Sequence, residues 1–141
     1  MKIQSKDKIE VVPKHGQALY IDLLCARLEE SSNKDPDSVC LQTMWKCWIT
    51  NVPAGVELKH HTHQDHEQIY YIIKGSGIIS VGDEKKTVKA GDCIYMPTDV
   101  SHGFVNNSDE EVEIFTVGAN IFRPWMAKDV IEKLRKAEAE K

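Results

Sequence analysis

The chain has 141 residues, which is enough for one domain with a hydrophobic core of its own. Its apolar content of 41% and charged content of 28% are ordinary for a globular protein. A net charge of -4 argues against a nucleic-acid-binding protein, because such proteins usually carry a basic face. The polar N-terminus lacks the apolar core of a signal peptide, and Asp22 and Arg27 interrupt the longest apolar stretch. We therefore expect a cytoplasmic protein without a membrane span.

The first 38 residues are predicted to form an N-terminal arm that ends in a loop. The apolar residues between positions 21 and 28 have helical spacing, which fits a short N-terminal helix. Residues 20–23 fit a strand equally well. Residues 31–38 are rich in Ser, Asn, Asp and Pro and are predicted to be a loop.

From residue 39 onward the sequence changes to short β-prone runs that are separated by turn residues. Strands this short, with Gly, Pro or Asp between them, are typical of an all-β sandwich or barrel. The predicted strands cover residues 39–51, 68–73, 78–81, 85–88, 93–96, 102–105 and 111–117.

The tail, residues 120–141, is predicted to be a C-terminal amphipathic helix. Pro124 suits a first helical turn, and apolar residues then recur on one face at Met126, Val130, Leu134 and Ala137. We expect this helix to pack on the outside of the domain or on a partner subunit.

The four cysteines are scattered along the chain, at Cys25, Cys40, Cys47 and Cys93. A zinc-binding or redox motif would need two of them close together, and no Cys-x-x-Cys spacing occurs. We expect four reduced, buried thiols, as is usual for a cytosolic chain of this size.

Four of the six histidines, His60, His61, His63 and His66, lie within seven residues. On a strand, His61 and His63 would point to the same face, because side chains alternate with period two. Two imidazoles at this spacing can bind one metal ion, with further ligands from neighbouring strands. The alternative is a solvent-exposed turn that happens to contain histidines, and the surrounding residues decide between the two.

The residues around the histidines form two spaced blocks. The first is Gly55, five residues, His61-Thr62-His63, four residues, Gln68, six residues and Gly75; the second is Gly91, five residues, Pro97, four residues, His102, three residues and Asn106. Together they resemble the paired motifs of the cupin superfamily, G(X)5HXH(X)3–4E(X)6G and G(X)5PXG(X)2H(X)3N. The resemblance implies a small antiparallel jelly-roll barrel over residues 39–119.

Two positions depart from the family pattern. Asp99 stands where the second motif has its middle glycine, and Asp tolerates the conformations that turns require. Gln68 stands at the position of the acidic ligand, with Glu67 directly before it. A shift of one residue moves a strand side chain to the opposite face, unless a bulge intervenes. The register of the following strand favours Gln68 inside the barrel, and Glu67 stays the alternative.

The resemblance implies one divalent transition metal, held by His61, His63, Gln68 and His102. Three imidazole nitrogens and one oxygen suit Zn, Fe, Mn, Ni or Cu, and the donor types do not choose among these metals. Four neutral ligands leave the ion its full charge, which makes it a stronger Lewis acid and disfavours easy activation of oxygen. We therefore expect a metal-dependent enzyme in which isomerase, cyclase or lyase chemistry is slightly favoured, and dioxygenase chemistry stays open.

Candidate acid–base groups lie beside the implied ligands, because most such reactions need a proton acceptor. His66 is close to the ligands in sequence, and Tyr70 shares the face of Gln68. The plainer interpretations are a loop residue and a barrel-wall residue, respectively. The interior of such a barrel holds only a small molecule, and Arg27 and Arg123 are candidates for binding a carboxylate.

Two other functions stay open. The first is a non-catalytic module that binds metal or a small molecule. The second is a metal-free isomerase or storage protein, but the three motif histidines argue against this alternative. Short cupins usually pair through a sheet edge, which also protects that edge from aggregation. The resemblance therefore implies a homodimer that uses residues before Val39 and the C-terminal helix.

Overall fold

The computed structural model describes residues 1–121, together with Lys136 and Ala139. In this part of the chain ten strands form two antiparallel sheets, with the orders β1-β2-β3-β10-β5-β8 and β4-β9-β6-β7. The strands are β1 (Val12–Lys14), β2 (Ala18–Cys25), β3 (Met44–Val52), β4 (Glu57–His61), β5 (His66–Lys74), β6 (Ser76–Val81), β7 (Glu84–Lys89), β8 (Cys93–Met96), β9 (His102–Val105) and β10 (Val112–Asn120). Single 3-10 turns lie at Lys6–Lys8, Leu28–Glu30 and Pro36–Ser38.

The hydrophobic core lies between the two sheets. Its largest fully buried side chains come from both of them, with Leu58 and Phe104 from the four-stranded sheet and Ile72, Met96 and Ile114 from the six-stranded sheet. Burying one such side chain stabilises the fold by about 1.5–3 kcal/mol. Polar residues in phase with these apolar ones are carried into the same interior, and this is how the barrel positions a site.

The prediction of an all-β antiparallel fold is confirmed. The seven predicted runs correspond to β3 and β5 to β10, with ends that differ by a few residues. The structure adds β1, β2 and β4, which are short or lack clear alternation in the sequence.

Of the two alternatives for this segment, the short helix over residues 21–28 is wrong and the strand over residues 20–23 is confirmed, because β2 covers Ala18–Cys25 and pairs with β3. Both faces of β2 are covered: Tyr20 and Asp22 point inward, while Ile21, on the opposite face, is only 5% exposed. A strand that is buried on both faces shows no alternation, so its apolar residues imitate helical spacing. Residues 12–25 thus add two strands to the six-stranded sheet. The predicted contacts with a second copy stay a prediction.

The predicted C-terminal helix falls almost wholly outside the described residues and stays a prediction. Its expected span overlaps the end of β10, which extends to Asn120. No helix in the described ranges is long and apolar enough to cross a membrane.

The four cysteines are free, as expected. The prediction that all of them are buried is wrong: only Cys25 is buried, Cys47 is half-buried, and Cys40 and Cys93 are exposed. Cys93 is exposed because it lies on the outer face of the edge strand β8.

Candidate metal centre

Three histidines converge inside the barrel. His61 is the last residue of β4 and His102 the first of β9, and the two residues pair across the sheet. His63 lies two residues beyond the end of β4. One nitrogen from each of the three rings lies within 4.8 Å of the other two. Nitrogens this close together could hold one metal ion, for which metal–nitrogen bonds are about 2.1 Å long.

A bulge in β4 brings His61 to the inner face. Leu58 is 1% exposed and faces the core, so on a regular strand the residue three places later would face outward. The pairing of β4 with β9 shifts register between Leu58 and His61, and this irregularity returns His61 to the interior. The prediction that His61 and His63 share the face of one regular strand is thus corrected, since β4 ends at His61.

The turn before β9 fixes the position of His63. The backbone N–H of Asp99 donates to the carbonyl oxygen of His63 at 2.7 Å, which joins the two sequence motifs directly. Asp99 has a φ of 61°, in the left-handed region that favours glycine and that Asp tolerates better than most residues. The departure from the family pattern at this position therefore preserves the turn.

Backbone carbonyls orient two of the three rings. His61 Nδ1 lies 2.8 Å from the carbonyl oxygen of Lys59, and His102 Nδ1 lies 3.2 Å from that of Val100. Because a carbonyl oxygen only accepts, each Nδ1 donates and each Nε2 is left with its lone pair. Metal-binding histidines usually have one ring nitrogen engaged in this way.

Three buried polar atoms at this site have no hydrogen-bond partner in the part of the chain that the structure describes. They are His63 Nε2, His102 Nε2 and Gln68 Oε1. A buried polar atom without a partner costs about 1–3 kcal/mol, so three of them in one place call for an explanation. All three can donate a lone pair, which a cation accepts. The residues therefore fit a metal ion held by three imidazole nitrogens and one amide oxygen.

Two of the rings are neutral at physiological pH. Burial, with a smaller contribution from neighbouring imidazoles, lowers the pKa of His63 to about 3 and the pKa of His102 to about 4. Neutral imidazole is the form that binds metal ions, so no proton has to be displaced from these two nitrogens near pH 7.

Gln68 points into the barrel and Glu67 points out of it. The side chain of Gln68 is 3% exposed, and the residue that pairs with it on the neighbouring strand β8 is the buried Met96. Glu67 Oε2 instead accepts a hydrogen bond of 2.6 Å from the hydroxyl of Tyr95, which is 55% exposed. The alternative acidic ligand thus faces solvent.

His66 and Asp65 orient the amide of Gln68. The Nδ1 of His66 lies 2.8 Å from Asp65 Oδ1, and its Nε2 lies 3.0 Å from Gln68 Nε2. Burial lowers the pKa of His66, although Asp65 opposes this, so the ring is neutral: Nδ1 donates to the carboxylate and Nε2 accepts from the amide. The amide oxygen of Gln68 is then the atom left for the histidine cluster.

The two candidate acid–base residues lie at the site in different ways. Both nitrogens of His66 are engaged, and its ring packs on His63 and Trp45 with centroid distances of 4.0 and 4.2 Å. His66 therefore contacts the site through the amide of Gln68, and its predicted acid–base role stays a prediction. Tyr70 is 4% exposed and stands edge-on to His102 with centroids 6.4 Å apart. Burial raises the pKa of Tyr70, so its hydroxyl stays protonated and acts as a donor.

A cavity of about 220 Å³ opens beside these groups. Its lining combines histidines, aromatic rings and charged side chains: Lys14, His15, Tyr20, Glu30, Trp45, Lys46, Trp48, His61, His63, Gln68 and Tyr70. A larger cavity of about 490 Å³ lies against β7 and β8, and none of the site residues is among its described lining residues. We place the site at the smaller cavity, because convergent polar groups mark binding sites better than volume does.

Two features of this cavity were missed from the sequence. Lys46 is 4% exposed on the inner face of β3, with Nζ 3.2 Å from Asp22 Oδ1. His15 precedes β2 and stacks on His61, with ring centroids 4.2 Å apart and planes at 4°. The spacing of Lys46 and Trp48 indicated a shared face, but which face is buried became clear only from the pairing of β3 with β2 and β10.

Comparison with known proteins identifies relatives of this barrel. A family model described as "Cupin domain" matches residues 48–118, which include both motifs. An uncharacterized protein of Methanocaldococcus jannaschii, MJ1618, is 38% identical over 63 residues, or 45% of this chain and 50% of that protein. An oxalate-binding protein of Thermotoga maritima is 29% identical over 66 residues, or 47% of this chain and 54% of that protein. The chain thus spans about half the length of the curated relatives it matches.

Among solved structures, a predicted oxalate decarboxylase of Thermotoga maritima, TM1287, has a TM-score of 0.68 at 19% identity. The match covers 84% of this chain and 99% of that one. At this identity the likeness shows the fold alone. The family match extends over half of the chain and contains the converging histidines, so this protein belongs to the cupin domain family.

Proposed function

We propose that this chain is a metal-dependent cupin enzyme that acts on a small organic molecule inside its barrel. The observation that carries the proposal is the cluster of three histidine nitrogens within 4.8 Å, beside the unpaired buried oxygen of Gln68. His61, His63, His102 and Gln68 would hold one divalent transition metal. Such an ion supplies Lewis-acid chemistry, because it polarises a substrate oxygen or lowers the pKa of bound water.

Lyase, isomerase or cyclase chemistry is favoured over dioxygenase chemistry. The four ligands are neutral, so the full charge of the ion acts on the substrate. The protonated hydroxyl of Tyr70 is a hydrogen-bond donor at the same cavity and suits a substrate oxygen. Oxalate, which one Thermotoga maritima relative is named for binding, is the first compound to test.

A non-catalytic module that binds metal or a small molecule is the second candidate. The observation that favours it is the state of the two predicted acid–base residues. Both nitrogens of His66 are engaged, and the hydroxyl of Tyr70 stays protonated, so neither of them is a ready proton acceptor.

Elemental analysis of protein purified without a histidine tag tests the metal site. We expect about one equivalent of a transition metal in the wild type, since three imidazoles and one oxygen make a single site. The His61→Ala/His102→Ala variant should contain none. Wild-type protein that takes up none of Zn, Fe(II), Mn, Ni or Cu would contradict the proposal.

Turnover separates the enzyme from the binding module. Metal-loaded protein is incubated with oxalate and then with other small organic acids, and substrate loss is followed by NMR. Loss of substrate that disappears in the double-histidine variant supports the enzyme. Compounds that bind to the loaded protein but stay unchanged support the binding module.

A further inference from the structure

We infer that the cavity contains a binding site for the negatively charged group of the substrate, formed by Lys46 with Lys14 beside it. The ligand class is therefore a small organic anion that carries a carboxylate. This inference rests on the proposed function, because it names the substrate class of the same site.

Lys46 lies in the barrel interior beside the candidate metal centre. It faces inward from β3, and it lines the same cavity as His63 and Gln68. Lysine is almost never fully buried without a negative partner, so a lysine that is 4% exposed needs an explanation. The pair with Asp22 supplies part of it.

The two lysines pair with the same carboxylate among the described residues. Lys14 and Lys46 share one fully buried carboxylate, that of Asp22, at 3.3 and 3.2 Å. Asp22 Oδ2 also accepts from the backbone N–H and the hydroxyl of Ser32, each at 2.9 Å. Lys46 faces Asp22 Oδ1 with its ammonium, which carries three N–H donors, so the pair with one carboxylate oxygen does not use all of them.

Aromatic rings hold the ammonium of Lys46 in place. Its Nζ lies 4.7 Å from the ring centroid of Trp45 and 4.9 Å from that of Trp48. Cation–π contacts of this kind stabilise a charged ammonium, although a ring supplies no hydrogen-bond acceptor of the strength of a carboxylate oxygen. Burial lowers the pKa of Lys46, and the charge of Asp22 opposes that effect. A bound anion would favour the charged ammonium further.

The metal end of the cavity adds positive charge. An ion held by four neutral ligands keeps its double charge. Glu30 is the one carboxylate among the described residues that line the cavity, and it is engaged by Trp45 Nε1 and by Arg27 at 3.8 Å. A small molecule with an oxygen group toward the metal end and a carboxylate toward Lys46 would place negative charge at both positively charged ends of the cavity. Of the two arginines predicted for a carboxylate, Arg27 has a side chain that is 69% exposed and pairs with Glu30, whereas Arg123 lies outside the described residues and stays a prediction.

Calorimetric titration of Zn²⁺-loaded protein tests this site. The probes are oxalate, malonate and succinate, which differ in the separation of their carboxylates, and the corresponding neutral diamides. We expect at least one dicarboxylate to bind, and Lys46→Met to weaken that binding by about tenfold or more, since hydrogen bonds to charged groups are the strong ones. Lys89→Met, which removes an exposed lysine of β7, should bind as the wild type does. Diamide binding should not depend on residue 46.

Three results would overturn the inference. The first is a Lys46→Met variant whose affinity for the dicarboxylates is within about twofold of the wild type, because such a change is smaller than the loss of a charged hydrogen bond. The second is a diamide that binds as tightly as its dicarboxylate. The third is that no dicarboxylate binds. Metal content is measured on the same samples, so loss of the metal site is seen separately. The titrations are repeated on metal-free protein, in which dependence on Lys46 still decides the question. If circular dichroism shows that Lys46→Met is unfolded, Asp22→Asn/Lys46→Met replaces it, because removing both charges avoids an unpaired buried carboxylate.

Discussion

The amide of Gln68 is oriented by His66, and His66 is oriented by Asp65. This chain of hydrogen bonds gives a physical reason for glutamine at a position where the family pattern has glutamate. The neutral His66 presents a lone pair to residue 68, which an amide N–H satisfies and a carboxylate does not. The sequence contained all three residues in a row of four, and the strand register favoured Gln68. The orienting role of His66 could not be predicted, because it depends on which ring nitrogen meets which neighbour.

Gln68→Ala is expected to weaken binding of Zn²⁺ by about tenfold or more, the range seen when a group that supports a metal site is removed. Glu67→Ala is the matched control, because Glu67 is the neighbouring residue and bonds to Tyr95 on the outer face. Its affinity should equal that of the wild type. Competition with a chromogenic chelator near neutral pH measures both. An equal loss in the two variants would mean that metal binding does not depend on Gln68 facing the histidines.

Strand β6 shows why the sequence located most elements but not all of their ends. Residues 75–77 have the Gly-Ser-Gly composition of a turn, yet β6 already begins at Ser76. Gly77 lies within the strand, and it is a glycine there because β9 leaves no room for a side chain. A Cβ at position 77 would lie 2.2 Å from Phe104 Cζ and 2.6 Å from the carbonyl oxygen of Val105. Close approach between strands is a tertiary property, and a glycine in a turn-like sequence does not reveal it.

Gly77→Ala is expected to lower the free energy of unfolding by about 1–3 kcal/mol, as overpacking of a core does. The ring of Phe104 can turn aside, but the backbone oxygen of Val105 can move only with β9 itself. Ser76→Ala, one residue earlier in the same strand, should change the free energy by less than about 0.5 kcal/mol. Urea unfolding of the metal-free proteins measures both. A Gly77→Ala variant as stable as Ser76→Ala would show that β6 and β9 separate easily.

In the whole molecule, the two sheets bring together groups that lie far apart in the sequence. The histidines of the motifs were predictable, since regular spacing connects them. The contact between Asp22 and Lys46 was not, because it depends on the register of β2 against β3 and on a bulge between Asp22 and Leu24. For the same reason His15 appeared unrelated to the site, although it stacks on His61. The sequence therefore predicted the histidines at the metal end of the cavity, whereas the pair of Asp22 and Lys46 became apparent only from the structure.

The buried histidines make the metal-free protein sensitive to acid. The pKa of His102 is lowered to about 4 in the folded state, against an ordinary value of about 6.5 in the unfolded chain. Between these values the unfolded chain binds a proton that the folded protein does not, so stability falls as the pH falls. At pH 5 the loss from His102 alone is on the order of 2 kcal/mol relative to pH 7, and His63 adds to it in the same direction.

We therefore expect chelator-treated protein to unfold at a lower urea concentration at pH 5 than at pH 7. The lowered pKa of Asp22 does not contribute in this window, because the stability it confers is lost only below the ordinary value of about 3.9. His102→Asn lacks one titrating ring, so its free energy of unfolding should change less between the two pH values. Equal stability of the wild type at pH 5 and pH 7 would mean that His63 and His102 accept protons in the folded state. A metal ion would then have to displace those protons at pH 5.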